Sequence, residues 1–211
     1  MKLQIVLGSQ LFPIKYYKKT PNLVFMCEDI NLCTHYKYHK HKIIFFLTSM
    51  RKFRKELETF DHDVHYYQIE QKPQFFQKLK KLCLQKKVQT ISVYEIEDKF
   101  FESLVEEFCL KNNIKLEVLA SPMFLVKRNV FKKYNQKTKK PFMKSFYEGV
   151  RNATGILMES EKNPTGGKYS FDTDNRKKIP KKFDVIQSDI TLKQDKEIDS
   201  VGDDHIGSNT E

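Results

Sequence analysis

Thr90 to Leu119 reads TISVYEIEDKFFESLVEEFCLKNNIKLEVL. Thr90 to Tyr94 is a β-branched and aromatic run of strand length. Lys99 to Leu110 then places Phe101, Leu104, Val105 and Phe108 at helical spacing, and Lys115 to Leu119 returns to a strand pattern. A strand, a helix with one apolar face and a second strand, joined by short polar links, form the unit that lays two strands side by side and parallel.

The same alternation runs back to the amino terminus. Lys2 to Leu7 and Leu23 to Cys27 read as strands, His39 to Phe60 as a helix through Ile43, Phe46, Leu47, Met50, Phe53, Leu57 and Phe60, Asp63 to Gln68 as a strand, and Pro73 to Leu84 as a helix. Five strands alternating with helices predict a doubly wound α/β domain with a parallel sheet, ending near Pro122. In such sheets ligands sit beyond the carboxyl ends of the strands, where the strand order reverses. The loops after Leu7, Cys27 and Tyr94 hold Gly8, Ser9, Gln10, Glu28, Asp29, Glu95 and Glu97. Acidic loop ends do not suit a phosphate, and neither GxGxxG nor a P-loop occurs, which argues against a conventional dinucleotide or ATP site. The four carboxylates could instead form an acid–base pair across the sheet.

Residues 123–182 form a basic extension. Lys132, Lys133, Lys137, Lys139 and Lys140 are interleaved with Phe131 and Tyr134, a pattern that suits either a nucleic-acid backbone or a solvated linker. Phe142, Phe146, Val150, Ala153 and Leu157 predict a helix with one buried stripe. Asn163-Pro164-Thr165-Gly166-Gly167 is a sharp turn, and Tyr169-Ser170-Phe171-Asp172 with Asp174-Asn175-Arg176-Lys177 gathers aromatic and polar groups behind it. Residues 183–211 lose hydrophobic density and read as a disordered acidic tail.

Net charge is +11 over 211 residues, and the tail carries −6 of it, which leaves +17 on the rest. A basic body attracts polyanions, although lysine enrichment along the whole chain also reads as compositional bias. Hydrophobic residues at 39% are enough for a core, and no apolar run approaches the ~20 residues of a membrane span. The first eight residues are too short and too soon polar for a signal peptide, so a cytoplasmic location is expected. Cys27, Cys33, Cys83 and Cys109 lack CxxC spacing and read as small core residues. His35, His39 and His41 lie close together but have no interleaved Cys, Asp or Glu, and read as a helix entry rather than a metal site. No metal site is expected.

Several segments together resemble one family. Val6-Leu7-Gly8-Ser9-Gln10-Leu11 opens the resemblance, followed by Glu28-Asp29, Tyr38-His39-Lys40-His41-Lys42 and Ser49-Met50-Arg51. Its longest part is Arg151, Thr154-Gly155-Ile156-Leu157-Met158, Pro164, Gly166-Gly167, Phe171-Asp172 and Asn175-Arg176-Lys177. Over about residues 1 to 182 this is similar to the amino-terminal part of the photolyase-related proteins of the iron–sulfur bacterial cryptochrome and (6-4) photolyase group.

The resemblance implies a Rossmann-like antenna domain over 1–122 and a helical and loop linker over 123–182. It also implies an all-helical domain, beyond this sequence, holding FAD and a [4Fe–4S] cluster. Such a carbon–carbon lyase repairs pyrimidine photoproducts in DNA with light, so the 211 residues alone are expected not to be competent. DNA is the implied partner, with a monomeric protein and no membrane. Gly8, Gln10 and Glu28 would line the antenna pocket. Gly166, Gly167, Tyr169, Phe171, Asp172, Asn175 and Arg176 would order the linker against the catalytic domain. Lumazine-binding members tend to have an Asp where Ser9 stands, a Glu where Leu32 stands and a smaller side chain at Phe46. A lumazine antenna is therefore expected to bind poorly. Two other readings of the residues stay open: a free-standing α/β module that binds a chromophore or a partner, and a basic nucleic-acid-binding protein without light chemistry.

Overall fold

A computed structural model describes residues 1–17, 23–172 and 177–178. The described chain divides into two units, the first covering Met1–Met123 and the second beginning at Phe124.

The first unit is a five-stranded, wholly parallel sheet of order β3-β2-β1-β4-β5. Its strands are β1 (Lys2–Ile5), β2 (Leu23–Cys27), β3 (Asp63–Tyr67), β4 (Thr90–Tyr94) and β5 (Lys115–Leu119). Helices α1 (Ile30–Thr34), α2 (Lys40–Thr59), α3 (Phe75–Gln85) and α4 (Lys99–Lys111) connect or flank them. The result is the doubly wound α/β, Rossmann-like architecture expected from the alternation. Period-two alternation along β2 divides the core. Leu23, Phe25 and Cys27 pack with Phe75, Leu79 and Leu82 of α3 and Phe101 and Val105 of α4. Val24 and Met26 face the opposite cluster with Ile43, Leu47, Met50 and Phe53 of α2. Burying β2 on both sides explains why LVFMC carries no polar residue. Because β1 is central and β4 lies on its other side, the strand order reverses between them, and a crevice opens at their carboxyl ends.

Helix α1 did not stand out in the sequence. It is short, and it forms because Asp29 Oδ1 accepts the Asn31 N–H at 2.9 Å. The same carboxylate's Oδ2 accepts the N–H groups of Gln74 and Phe75, at 2.7 and 2.8 Å, and so caps the start of α3 as well.

In the second unit, α5 (Arg128–Lys137) and α6 (Met143–Thr154) precede a short antiparallel hairpin, β6 (Met158–Ser160) with β7 (Asn163–Pro164). The helix forms over Met143–Thr154, with Phe142 as its N-cap and Leu157 beyond its end, and the expectation of a buried stripe is corrected. Phe142 is 64% and Leu157 61% exposed, Ala153 is exposed, and Phe146 and Val150 are half-buried. Among the described residues α5 packs on this face, through Phe131 and Tyr134 against Phe146, at ring distances of 5.2 and 5.0 Å. A ten-residue helix cannot cover the full stripe. No described helix is long and apolar enough to cross a membrane.

Candidate functional site

The crevice at the strand ends holds a cavity of about 260 Å³. Its walls come from the three loops that the sheet topology brings together: Leu7 to Ser9 after β1, Glu28 to Cys33 after β2, and Ile96 to Phe101 after β4, closed by α2. The volume is at or below the lower end of the roughly 300–1,000 Å³ common for small-molecule pockets.

Gly8 lines this cavity, and its missing side chain is used inside the protein. A Cβ built there would lie 2.2 Å from Phe46 Cε1 and 2.8 Å from Met50 Sδ. The Phe46 ring therefore takes the space that the glycine leaves. Phe46 also lines an outer groove of about 390 Å³ with Gly8, Leu11 and Phe53, and so forms the wall between groove and cavity.

Glu28 also borders the cavity, but its carboxylate is taken up by the fold. Oε1 accepts from Arg51 Nε at 2.7 Å and from the Tyr66 hydroxyl at 2.5 Å, while Oε2 accepts from an Arg51 Nη at 3.0 Å and the Ile69 N–H at 2.9 Å. Burial, and next the adjacent Glu28 charge, push the Tyr66 phenol up and keep it a donor. Gln10 is not among the cavity-lining residues. It is fully buried and donates Nε2 to the carbonyls of Tyr94 and Glu95, at 3.0 and 3.2 Å, tying the turn after β1 to the end of β4. Glu95 accepts the Ser121 N–H at 3.3 Å. Of the four loop carboxylates, Glu28, Asp29 and Glu95 are thus held in structural hydrogen bonds, which leaves no observed acid–base pair among these three.

In the sequence Arg51 figured only as the end of Ser49-Met50-Arg51, without a role, and neither Tyr66 nor Gln74 was singled out. Arg51 follows Leu47 by four residues on the buried face of α2, and a cation on such a face needs a buried partner. That signal could have found it.

His35 stacks on Phe100 at the cavity mouth, with centroids 3.9 Å apart and planes within 9°. His39 caps α2, its Nδ1 accepting the His41 N–H at 3.2 Å. Among the described residues no three His, Cys, Asp or Glu side chains gather as metal ligands. Cys27, Cys83 and Cys109 are buried and Cys33 is half-buried, all as free thiols. Burial, with Glu28 and Asp29 next, pushes Cys33 up to about 11, and burial raises Cys83 and Cys109 to about 11.

The second unit has its own organising residue. Arg151 is 5% exposed. Its Nε donates to the Ile156 carbonyl at 3.3 Å and an Nη to the Tyr169 carbonyl at 3.0 Å, while the other Nη donates to the Leu157 carbonyl. The guanidinium lies 5.5 Å from the Tyr147 ring centroid and 5.3 Å from that of Tyr169. One side chain thereby ties α6, the start of the hairpin and the aromatic run together. Tyr169 adds a hydroxyl donated to Asn152 Oδ1 at 2.7 Å.

Gly166 and Gly167 both adopt left-handed backbone, with φ +74° and +73°. Phe171 packs over Gly166, where a Cβ would sit 2.8 Å from its Cζ, and Lys168 Nζ lies 4.4 Å from the Phe171 ring. Asp172 accepts the Ser170 hydroxyl at 2.7 Å. Gly166, Tyr169, Phe171 and Asp172 share a trough of about 800 Å³ with Phe142, Met143 and Arg151. Asn175 and Arg176 lie outside the described residues.

The model of the deoxyribodipyrimidine photo-lyase-related protein family matches residues 4–210, and the chain belongs to that family. A (6-4) photolyase of Agrobacterium fabrum strain C58 is 27% identical over 193 residues, which cover 88% of this chain and 38% of the relative. The uncharacterized protein R852 of Acanthamoeba polyphaga mimivirus is 26% identical over 196 residues, covering 86% of this chain and 96% of its own. The chain thus spans well under half of the photolyase and nearly all of the mimivirus protein.

Proposed function

We propose that this member of the photolyase-related family supplies the antenna-type domain and the docking extension of a DNA-repair flavoprotein. The supporting observation is that the family match spans both units, from the cavity-bearing sheet to the segment held by Arg151. The light-driven step belongs to a flavin-binding helical part holding FAD and a [4Fe–4S] cluster. The protein acts on DNA as a monomer in the cytoplasm, and the 211 residues alone are not competent. Gly166, Gly167, Tyr169, Phe171 and Asp172 serve as a preshaped surface for that helical part. The exposed Phe142, Met143 and Leu157 beside them supply apolar area for such a contact.

A lumazine does not suit the cavity. Phe46 takes the space above Gly8, Leu32 presents no polar atom, and the Glu28 carboxylate is already saturated by four donors. A ring with several polar edges would lose hydration there without regaining hydrogen bonds. Cys27, Cys83 and Cys109 are committed to the core, so a cluster belongs to the helical part.

A chimera tests the proposal. This chain replaces the corresponding 38% of the Agrobacterium fabrum photolyase, and repair of a (6-4) photoproduct in a duplex oligonucleotide is followed under blue light. Light-dependent repair by the chimera and none by the 211 residues is the expected result. Repair by the 211 residues, or a folded chimera that binds FAD yet repairs nothing, overturns it.

The nearly complete coverage of the mimivirus protein favours a second reading, a free-standing α/β module that binds a partner chain. Co-purification of a partner chain that binds no flavin would favour this second reading.

A further inference from the structure

We infer that the basic ribbon from Lys127 to Lys144 is a nucleic-acid-binding surface in its own right, gripping the phosphate backbone without reading sequence. Eight basic residues fall in this stretch with no acidic residue among them, and all eight are exposed. On α5 the cations share one half of the helix: Arg128 and Lys132 are four apart, as are Lys133 and Lys137. Val130, Phe131 and Tyr134 occupy the other half. Four-apart cations stand about 6 Å apart along the axis. Lys139, Lys140 and Lys144 continue the ribbon past the helix, beside the exposed ring of Phe142.

Compositional bias does not account for this arrangement. In residues 1–123 acidic residues are interspersed with the basic ones, and Lys2, Lys78, Lys86, Lys99, Lys111 and Lys115 each pair with a carboxylate. Between Lys127 and Lys144 none of the seven lysines has an ion-pair partner among the described residues. Unpaired lysines concentrated on one ribbon repel one another, and a polyanion relieves that repulsion while releasing its own counterions. The choice of nucleic acid among polyanions rests on the proposed DNA-repair reading. An exposed aromatic among phosphate-spaced cations suits unstacked bases as well. A membrane surface is disfavoured because Phe131 and Tyr134, on the apolar half of α5, pack on Phe146.

The test uses the full chain in the dark, without flavin, and a fluorescein-labelled duplex of arbitrary sequence titrated across salt concentrations. Vesicles of phosphatidylserine and phosphatidylcholine are titrated in parallel. The expected result is DNA binding whose log–log salt slope is about −4 to −7, as four to eight neutralised phosphates give. The K132Q/K133Q/K137Q variant should bind at least tenfold more weakly at low salt and lose about 2–3 from that slope, while K72Q/K80Q/K81Q leaves both unchanged. Absence of DNA binding, binding to vesicles but not DNA, or equal losses in both variants overturns the inference. Since no step needs light, DNA binding with these properties would stand even if the chimera failed to repair.

Discussion

Arg51 grips Glu28 through two nitrogens, at 2.7 and 3.0 Å, and both side chains are sealed from solvent at 5% and 0% exposure. With Tyr66 and the Ile69 N–H added, this carboxylate is the polar anchor joining β2 to α2 and to the loop after β3. Removing one partner strands a buried charge. Glu28→Leu should destabilise the first unit by about 3–5 kcal/mol in urea unfolding. Glu28→Leu with Arg51→Met should recover most of that loss, because an apolar pair of similar volume leaves no charge behind. A double variant as unstable as the single one would show that the pair itself stabilises the fold.

Phe46 and Gly8 share one space, so a side chain at position 8 must displace the ring. Gly8→Ala should cost about 1–3 kcal/mol as an overpacking change. Phe46→Ala in the Gly8→Ala background should restore part of the loss, giving a coupling energy above about 0.5 kcal/mol in a double-mutant cycle. Additive effects would separate the two positions.

Arg151 binds three carbonyls that a lysine cannot reach together. Arg151→Lys should speed amide hydrogen exchange across Gly155 to Ser170 by about tenfold or more, consistent with loss of charge-assisted bonds worth about 1.5–3 kcal/mol each. Exchange in β1 to β5 should stay unchanged. Uniform acceleration in both units would show that the second unit is not locally stabilised by this residue.

Alkaline pH should destabilise the protein through its thiols. Cys33, Cys83 and Cys109 are raised from 9.0 to about 11 in the folded state. Between those values the unfolded chain binds fewer protons than the folded one, so stability is full below pH 9 and declines as pH rises toward 11. Replacing the three with Ala should flatten the decline of urea midpoint with pH over that window, though the raised Cys27, Tyr17 and Tyr66 keep some slope. An unchanged decline would exclude these three thiols.

The strands and main helices were legible because each carries its period over enough residues. LVFMC, TISVY and KLEVL coincide with β2, β4 and β5, and α2 lies within one residue of its expected ends. Gly8 and Glu28 were legible as crevice residues because the switch point follows from strand order. What their atoms do was not legible. That Glu28 is consumed by Arg51 depends on contacts from α2 and β3, and that Gln10 turns toward β4 depends on an 84-residue separation. The stripe of α6 misled because periodicity says which residues share a face, not whether anything covers it. Arg151 was quoted for its motif, and only the turn of the chain at Gly155 and Gly166 brings three carbonyls to it.

The central position of β1 has a consequence for synthesis. β2 and β3 follow closely and can pair on one side of it, but its other neighbour is β4, some 85 residues later. Until Thr90 to Tyr94 leaves the ribosome, the first strand presents an open edge to any other nascent chain. Ribosome-bound intermediates halted before residue 90 should therefore recruit holdase chaperones, and those halted well past residue 120 should release them.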